Sequence, residues 1–344
     1  MNGALLEVVL QEELAGSVPM ILDRIGTPIP CQETELRIWH LAQGLRRVSS
    51  VRFHPPELSD ERLDATIAAV HPKEYTDFLG FWSGELGEEE MLLHDHPYIP
   101  PGVMADTPVV AGIYRTARES ARTAITAALR VADGAHLAYA LCRPPGHHAS
   151  MAWLGGHCYL NNAVLMLHTL MESGMERVGL IDFDIHFGNG SAAILESWPN
   201  AFFGSIHSST ITSYPYMETR APHERQRFIP FDESPSPEEF IAAVEELVEG
   251  CVEHGCSAIV VSAGYDIVDG DPHGTWHLEP ELLEDVGRAI GLCGLPVCVA
   301  QEGGYLLPAL EECACRFGEG LLQGAASGAV RHSPVTEGEA ATLR

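Results

Sequence analysis

Two carboxylates and a histidine alternate at the end of one apolar stretch of the sequence. The run Val178–Phe183 has the composition of a buried strand, and it contains or precedes Asp182, Asp184 and His186. In an extended chain, residues i, i+2 and i+4 share one face, so these three side chains project together. Burying two carboxylates side by side costs on the order of several kcal/mol unless a cation compensates. The spacing therefore predicts a metal site, whereas an ordinary helix cap would explain only Asn189.

A further carboxylate follows a second apolar strand. Asp266 comes four residues after the run Ala258–Ser262, and ligands in α/β folds gather beyond the carboxyl ends of parallel strands. An Asp-His-Asp set is neutral with a divalent ion, and zinc suits this mixture of ligands while keeping positions open for water and substrate. The nearby Asp269 and Asp271 lie in an Asp-Gly-Asp-Pro sequence that is more typical of a turn.

Two more groups that could do chemistry follow two further strand candidates. His147 and His148 come after Leu137–Cys142 and a Pro-Pro-Gly turn, and adjacent histidines suit proton transfer near neutral pH. Tyr305 follows Val297–Ala300 and two glycines, and its phenol is a good donor to a carbonyl oxygen that becomes negative. A surface histidine pair and a packing tyrosine would be the ordinary explanations of each alone. Because all these groups follow strands, we expect them to gather at one edge of one sheet.

The elements that must position these residues alternate between short apolar runs and longer amphipathic ones, which is typical of a parallel sheet covered by helices. We predict one large three-layer α/β domain over residues 1–323, with a mostly parallel central sheet flanked by helices, and a flexible tail over 324–344. The segment 84–107 is predicted to be a long loop. Strands are predicted at Leu137–Cys142, Val178–Phe183, Ala201–Ile206, Ala258–Ser262 and Val297–Ala300, and helices near 33–48, 60–69, 73–83, 108–132, 160–173, 188–197, 236–253, 280–292 and 307–323.

Composition excludes several classes of partner. The 344 residues carry 48 acidic and 20 basic side chains, a formal net charge of −28, which repels nucleic acid and would favour small cations at the mouth of a cleft. No stretch approaches the roughly 20 apolar residues that span a bilayer, so no membrane partner is expected. The nine cysteines are irregularly spaced, which favours reduced, buried thiols in a cytoplasmic protein.

Taken together, these motifs resemble the zinc-dependent histone deacetylase and acetylpolyamine amidohydrolase superfamily. The resemblance implies the arginase/deacetylase fold and hydrolysis of an acetylated amine. It spans about residues 135–310, and the matching motifs stand in the family's order at Arg143–Ala149, Gly156–Ala163, Ile181–Gly190, Ser262–Asp266 and Glu302–Tyr305.

The resemblance also implies roles for single residues. One zinc ion per chain would be held by Asp184, His186 and Asp266. His147 and His148 would be the tandem histidines, with Asp182 orienting the first and Asn189 near the second, and Tyr305 would polarise the acetyl carbonyl. A structural K⁺ or Na⁺ would be held, partly through backbone oxygens, by Asp182, Asp184, His186, Ser205 and Ile206.

The substrate channel departs from the family pattern. Family members often have an aromatic wall where this sequence has His157, and commonly histidine where it has Phe187; the segment 216–230 also lacks the usual glycine-rich stretch. His273 stands where the family places a rim residue that helps to choose substrates. The residues expected to line the channel are Gly156, His157, Tyr214, His273 and Glu119.

The N-terminal half is most similar to the acetylpolyamine branch, which selects cationic chains with acidic rim residues, often across a homodimer. Glu119, Asp95 and Asp106 are rim candidates, although a solvated acid is the commoner explanation of each. A small acetylated amine is therefore the expected partner. The open alternatives are a protein deacetylase acting on acetyl-lysine, a deacetylase that tailors a specialised metabolite, an inactive binding relative, and an arginase-like dimanganese ureohydrolase. The last would be expected to show Asp-x-His-x-Asp order, and here the order is Asp182-x-Asp184-x-His186.

Overall fold

A central sheet of eight parallel strands organises the chain. The computed structural model describes residues 4–14, 18–22, 27–92, 98, 106–217, 219 and 222–331. The strands are β1 (Leu6–Leu10), β2 (Met20–Leu22), β3 (Pro28–Pro30), β4 (Val51–His54), β5 (Met91–Leu92), β6 (Val109–Val110), β7 (Leu137–Leu141), β8 (Val178–Asp182), β9 (Ala201–Ser208), β10 (Gln226–Phe231), β11 (Ala258–Ala263) and β12 (Val297–Gln301). The main sheet has the order β10-β9-β8-β11-β12-β7-β1-β4, and the pairs β2–β3 and β5–β6 form two small antiparallel sheets.

Helices cover both faces of this sheet. They are α1 (Glu35–Arg46), α2 (Asp60–Val70), α3 (Lys73–Glu85), α4 (Ile113–Ala132), α5 (Asn162–Glu172), α6 (Asn189–Leu195), α7 (Pro237–Glu253), α8 (Leu282–Gly291) and α9 (Leu307–Arg331). Side chains of β7 show how one strand serves two cores: Leu137, Tyr139 and Leu141 pack with α1 and α7–α9, while Ala138 and Ala140 pack with α2–α6. Both faces of a covered parallel strand are apolar, and the predicted three-layer α/β fold is confirmed.

All five predicted strands are present, and the main sheet adds three that were not predicted. β1 and β4 extend one edge, and β10 forms the other. β10 begins inside the segment 216–230 that departs from the family pattern, and it ends one residue beyond that segment. It carries Pro230, which an edge strand tolerates because one side of the strand needs no hydrogen-bond partner.

Two boundaries differ from the prediction. The segment 84–107 is not wholly a loop, since α3 reaches Glu85 and β5 pairs with β6; residues 93–97 and 99–105, with the rim candidate Asp95, lie outside the described residues. α9 continues to Arg331, beyond the predicted domain end at 323, because Ala325 is buried and Gly324 packs closely on Gly291 of α8. The rest of the predicted tail, 332–344, is also outside the described residues.

Local sequence explains the clearest helix start. Oγ of Ser236 accepts a hydrogen bond from the backbone N–H of Glu239 (3.2 Å), and the Glu239 carboxylate accepts one from the N–H of Ser236 (2.8 Å). With Pro237 in the first turn, this capping box fixes the beginning of α7.

All nine cysteines are free, and all but Cys293 are buried. Within the described ranges, no helix is both long and apolar enough to cross a membrane.

Candidate active site

The register of the sheet brings the candidate residues to one edge. Asp182 at the end of β8 is opposite Ser262 of β11 and Ser205 of β9. The strands β8, β11, β12 and β7 are consecutive in the sheet, so the loops that follow them are neighbours. These loops carry the predicted metal ligands, the phenol and the tandem histidines.

The three predicted metal ligands converge. Nδ1 of His186 lies 3.1 Å from Oδ1 of Asp184 and 3.2 Å from Oδ2 of Asp266, and one potential ligand atom from each residue lies within 4.8 Å of the others. Both aspartates are buried. Burial lowers the pKa of His186, but hydrogen bonds to and charges of the two carboxylates outweigh this effect and raise it well above its usual value. The cluster thus concentrates negative charge that a cation would neutralise.

The surroundings of these ligands fit a divalent ion. Oδ2 of Asp266 is buried and, apart from Nδ1 of His186 at 3.2 Å, has no hydrogen-bonding group beside it in the described part of the chain, which is costly unless a cation binds it. Oδ2 of Asp184 accepts a hydrogen bond from the N–H of Gly303 (2.8 Å), which leaves further lone pairs for a metal. A Cβ atom on Gly303 would lie 2.3 Å from Oδ2 of Asp266 and 2.5 Å from Oδ2 of Asp184, and one on Gly264 would lie 2.3 Å from the latter. Glycine at both positions keeps the ligand atoms free of side-chain contact.

The tandem histidines have different partners and opposite electrostatics. Nδ1 of His147 lies 2.9 Å from Oδ2 of Asp182, and Nδ1 of His148 lies 2.6 Å from Oδ1 of Asn189. Burial lowers the pKa of His147, but the charges of Asp184 and Asp182 raise it to about 10. Burial, followed by the charges of His147 and His186, holds the pKa of His148 well below its usual value. One imidazole therefore retains a proton at neutral pH, while the other is neutral and has one unprotonated ring nitrogen.

Tyr305 is fixed by groups far away in the sequence. Its backbone N–H donates to Oδ2 of Asp271 (2.6 Å), so Asp271, which the sequence favoured as a turn residue, holds the loop that carries the phenol. The guanidinium of Arg37 lies 4.6 Å from the centre of the tyrosine ring. Burial raises the pKa of Tyr305 well above its usual value, which keeps the hydroxyl protonated as a hydrogen-bond donor.

One cavity of about 320 Å³ opens onto these groups. Of the predicted channel residues, Gly156, His157, Tyr214 and His273 line it, as does the rim candidate Asp106. Glu119 does not: it lies on α4, where its carboxylate accepts hydrogen bonds from Arg122, with Nε 3.0 Å from Oε2. The remaining described residues that line the cavity are Ile21, Leu22, Ile29, His147, His148, Asp184, His186, Thr212, Ser213, Tyr216, Pro272, Thr275 and Tyr305.

The residues expected around a monovalent cation are also adjacent. Ser205 and Ile206 are buried on β9 next to the end of β8, and Oγ of Ser205 lies 3.2 Å from Nδ1 of His207. The N–H of Asp184 donates to Oδ1 of Asp182 (3.1 Å), which curls the chain after β8.

The sequence motifs included Glu302 but gave it no role. Its side chain is fully buried, and Oε2 accepts hydrogen bonds from the N–H groups of Gly146 (2.6 Å) and His147 (3.1 Å). Oε1 accepts one from Oγ of Ser262 (3.1 Å). This carboxyl, in the loop after β12, joins the loop after β7 to the end of β11. Its position directly before the two glycines and Tyr305 was the available signal.

A buried ionic cluster near the phenol was also not predicted. Glu33 lies between two arginines: Oε1 is 3.0 Å from Nη1 of Arg37, and Oε2 is 2.6 Å from Nη2 of Arg143. Nε of Arg37 also donates to the carbonyl oxygen of Gly304 (2.6 Å). The cluster therefore ties the segment before α1 to the loop of Tyr305. The pairing of Glu33 with Arg37 is local, four residues along the chain, but Arg143 is 110 residues from Glu33 and Gly304 is 267 residues from Arg37, so the local sequence does not indicate the cluster as a whole.

Comparison with known proteins agrees with this geometry. A model of the histone deacetylase domain matches residues 31–321, and the chain therefore belongs to the histone deacetylase family. The acetylpolyamine amidohydrolase of Burkholderia pseudomallei (strain 1710b) is 33% identical over 287 residues, covering 76% of this chain and 84% of that protein. Acetylpolyamine amidohydrolase 1 of Pseudomonas aeruginosa is 31% identical over 271 residues, covering 70% and 78%.

A solved structure extends the similarity to the whole fold. The crystal structure of acetylpolyamine aminohydrolase from Burkholderia pseudomallei aligns with a TM-score of 0.81 at 28% identity, covering 93% of this chain and 99% of that one. The family resemblance and the deacetylase fold that the motifs implied are confirmed.

Proposed function

We propose that this protein hydrolyses the amide bond of an acetylated amine, and that its substrate is a small cationic molecule such as an N-acetylpolyamine. The observation that carries this proposal is the shared cavity: Asp184 and His186, which cluster with Asp266, line it together with the tandem histidines and a protonated phenol. These three ligands would hold one divalent ion, and their mixture of two carboxylates and one imidazole suits zinc.

Such an ion, when bound, supplies Lewis-acid chemistry that polarises a carbonyl and makes water more acidic. The hydroxyl of Tyr305 would donate a hydrogen bond to the acetyl carbonyl oxygen and stabilise the negative charge that develops there. His148, neutral and with Nδ1–H directed at Asn189, presents an unprotonated Nε2 that can accept the proton of water. His147 keeps its proton beside Asp182 and can deliver it to the departing amine.

Charge supports the choice of substrate. The net charge of −28 attracts cations, and Asp106 brings a buried carboxyl to the cavity wall. Oδ1 of Asp106 accepts hydrogen bonds from Oγ1 of Thr107 (2.6 Å) and from the N–H of Gly156 (3.1 Å), which fixes the carboxyl in place. The names of the two curated relatives refer to the same class of substrate.

A panel of acetylated amines tests the proposal. Protein reconstituted with zinc would be assayed with N-acetylputrescine, N-acetylcadaverine, N-acetylspermidine and an acetyl-lysine peptide, with His148→Ala as the inactive control. We expect turnover of the acetylated polyamines and a large loss in the variant. Turnover of the peptide alone would overturn the choice of substrate. Two tightly bound manganese ions per chain would instead favour ureohydrolase chemistry.

A further inference from the structure

The carboxyl group of Asp271 connects two parts of the candidate site. It follows the predicted metal ligand Asp266 by five residues, and its Oδ2 accepts hydrogen bonds from the N–H groups of Tyr305 (2.6 Å) and Leu306 (3.0 Å). Oδ1 accepts one from the N–H of His273 (2.9 Å). The side chain is buried, so water does not readily replace a lost bond. One carboxylate thus joins the segment of a metal ligand to the segment of the phenol.

The loop after β11 fixes the position of this carboxylate. The N–H of Asp271 donates to the carbonyl oxygen of Val268 (3.2 Å), and the carbonyl oxygen of Asp271 accepts a hydrogen bond from the N–H of Gly274 (3.1 Å). A Cβ atom on Gly274 would overlap the carbonyl oxygen of Asp266, so this turn packs directly on the backbone of the ligand. The carboxylate of Asp271 therefore has a defined position relative to Asp266.

The hydrogen bonds to Asp271 are made at the tyrosine itself. Those of Gly303 and Gly304 to other side chains are made before it in the loop, and Gly304 has a φ of 112°, a conformation that glycine adopts without strain. Among the residues that the structure describes, none is hydrogen-bonded to the phenolic hydroxyl. The position of that hydroxyl therefore depends on the packing of the ring and on the backbone that Asp271 holds.

The same carboxylate stabilises the beginning of a long helix. α9 starts at Leu307, and the first N–H groups of a helix have no partner within it. The preceding residue, Leu306, has no side-chain acceptor that could cap the helix, and Asp271 supplies one from a neighbouring loop. A negative charge at this end also interacts favourably with the helix dipole. Removal of the carboxylate would therefore loosen the first turn of α9 together with Tyr305.

We propose that Asp271 is a positioning residue, which sets the place of the Tyr305 hydroxyl relative to the metal site and acts on the reaction through that hydroxyl. This inference rests on the proposed deacetylation. A donor that stabilises a developing negative charge must stand close to its final position before the reaction, and a displacement of about 1 Å can cost about a hundredfold in rate. Loss of Asp271 should therefore slow turnover more than it weakens substrate binding.

A double-mutant cycle of Asp271→Ala and Tyr305→Phe tests this inference with the best substrate of the panel. Asp271→Ala should lower kcat about tenfold to a hundredfold and change KM less than about threefold. In the Tyr305→Phe background, where the hydroxyl is already absent, it should change kcat less than about threefold. Equal losses in both backgrounds would refute the inference, because Asp271 would then act independently of the phenol.

Asp271→Asn is the conservative variant, since its amide keeps one oxygen acceptor. It should recover part of the activity, with a loss in kcat of about fivefold that falls below about twofold in the Tyr305→Phe background. If Asp271→Ala does not fold, this variant completes the same cycle.

Two measurements that do not depend on turnover separate positioning from general damage. In the metal-free protein, the amide hydrogens of Tyr305 and Leu306 should exchange at least about tenfold faster in Asp271→Ala, which has lost their acceptor. Unchanged exchange would refute the inference. Elemental analysis should find as much bound zinc as in the wild type, and loss of the metal would show an effect through Asp266, which also contradicts the inference.

Asp269→Ala is the matched control. It removes the same charge two residues earlier, and its side chain is exposed, so kcat should change less than about twofold. Equal losses in the cycle would leave the proposed function standing. A wild-type protein that hydrolyses no acetylated amine would refute the proposed function and this inference with it.

Discussion

Replacing Glu302 by alanine should destabilise the domain by removing the acceptor of two buried backbone amides. The N–H groups of Gly146 and His147 both donate to Oε2 of Glu302, and the side chain is fully buried. Alanine would leave both amides, and the hydroxyl of Ser262, without this partner. Glutamine would keep an oxygen for the amides and an NH₂ group for the hydroxyl, so it should largely preserve the connection between the two loops and β11.

The magnitude follows from these contacts. A buried donor left unpaired costs about 1–3 kcal/mol, so two cost about 2–6 kcal/mol. The carboxyl of Glu302 is itself unfavourable to bury, since burial raises its pKa to about 7. Its removal offsets part of the loss, and we expect about 2–3 kcal/mol for Glu302→Ala and less than about 1 kcal/mol for Glu302→Gln.

Thermal unfolding at pH 7 would measure the difference. At about 2 °C per kcal/mol, Glu302→Ala should lower Tm by about 4–6 °C. Glu249→Ala is the matched control, because Glu249 is exposed on α7, and such a surface change should stay within about 0.5 kcal/mol. If Glu302→Ala and Glu302→Gln unfold at the same temperature, the carboxyl does not anchor the histidine loop as argued.

Four further outcomes are expected. Tyr305→Phe keeps the ring but removes the donor, so kcat should fall about 10²–10³-fold; nearly normal turnover would reject its role. Asp266→Ala should lose the bound divalent ion, measured by elemental analysis after dialysis, and full retention would exclude it as a ligand. Burial lowers the pKa of His147, but the neighbouring carboxylates raise it to about 10. Asp182→Asn removes one of these charges and should lower this pKa, so an NMR titration of the metal-free protein should show the proton lost at lower pH. An unchanged pKa would contradict this. Glu33→Ala leaves two buried guanidiniums without their shared carboxylate and should cost about 3–5 kcal/mol, which an unaltered Tm would disprove.

The strands that the sequence predicted are those buried on both faces. β7 and β11, for example, are continuous apolar runs with every residue buried, and such runs are recognisable without any alignment. β4 and β10 lie at the edges and are only half-buried, so their patterns resemble loops. β1 is apolar but contains Glu7, which lies in an ion pair with Arg52 of β4. This charge interrupts the apolar run by which a buried strand is recognised.

The residues of the candidate site likewise fall into those that the sequence predicted and those that it did not. Asp184, His186 and Asp266 were predicted because residues of unusual type follow buried strands, and the parallel topology then brings them together. Glu302 and Arg37 act through hydrogen bonds to backbone groups that are 155 and 267 residues away in the chain. Such partners follow from the packing of loops and not from spacing, which is why their roles emerged only from the structure. Glu119 is a residue of suitable type that the sequence placed in the channel, but its carboxylate accepts a hydrogen bond from an arginine on its own helix and does not line the cavity.

The glycines beside the ligand carboxylates have a consequence for anyone who wishes to retarget this scaffold. Any side chain at Gly303 or Gly264 would collide with Asp184, so libraries that randomise these positions would consist mostly of proteins in which the candidate metal site is damaged. Thr212 and Thr275 are exposed and line the mouth of the same cavity. Diversity introduced at those two threonines would reach incoming molecules while leaving the inner architecture unaltered.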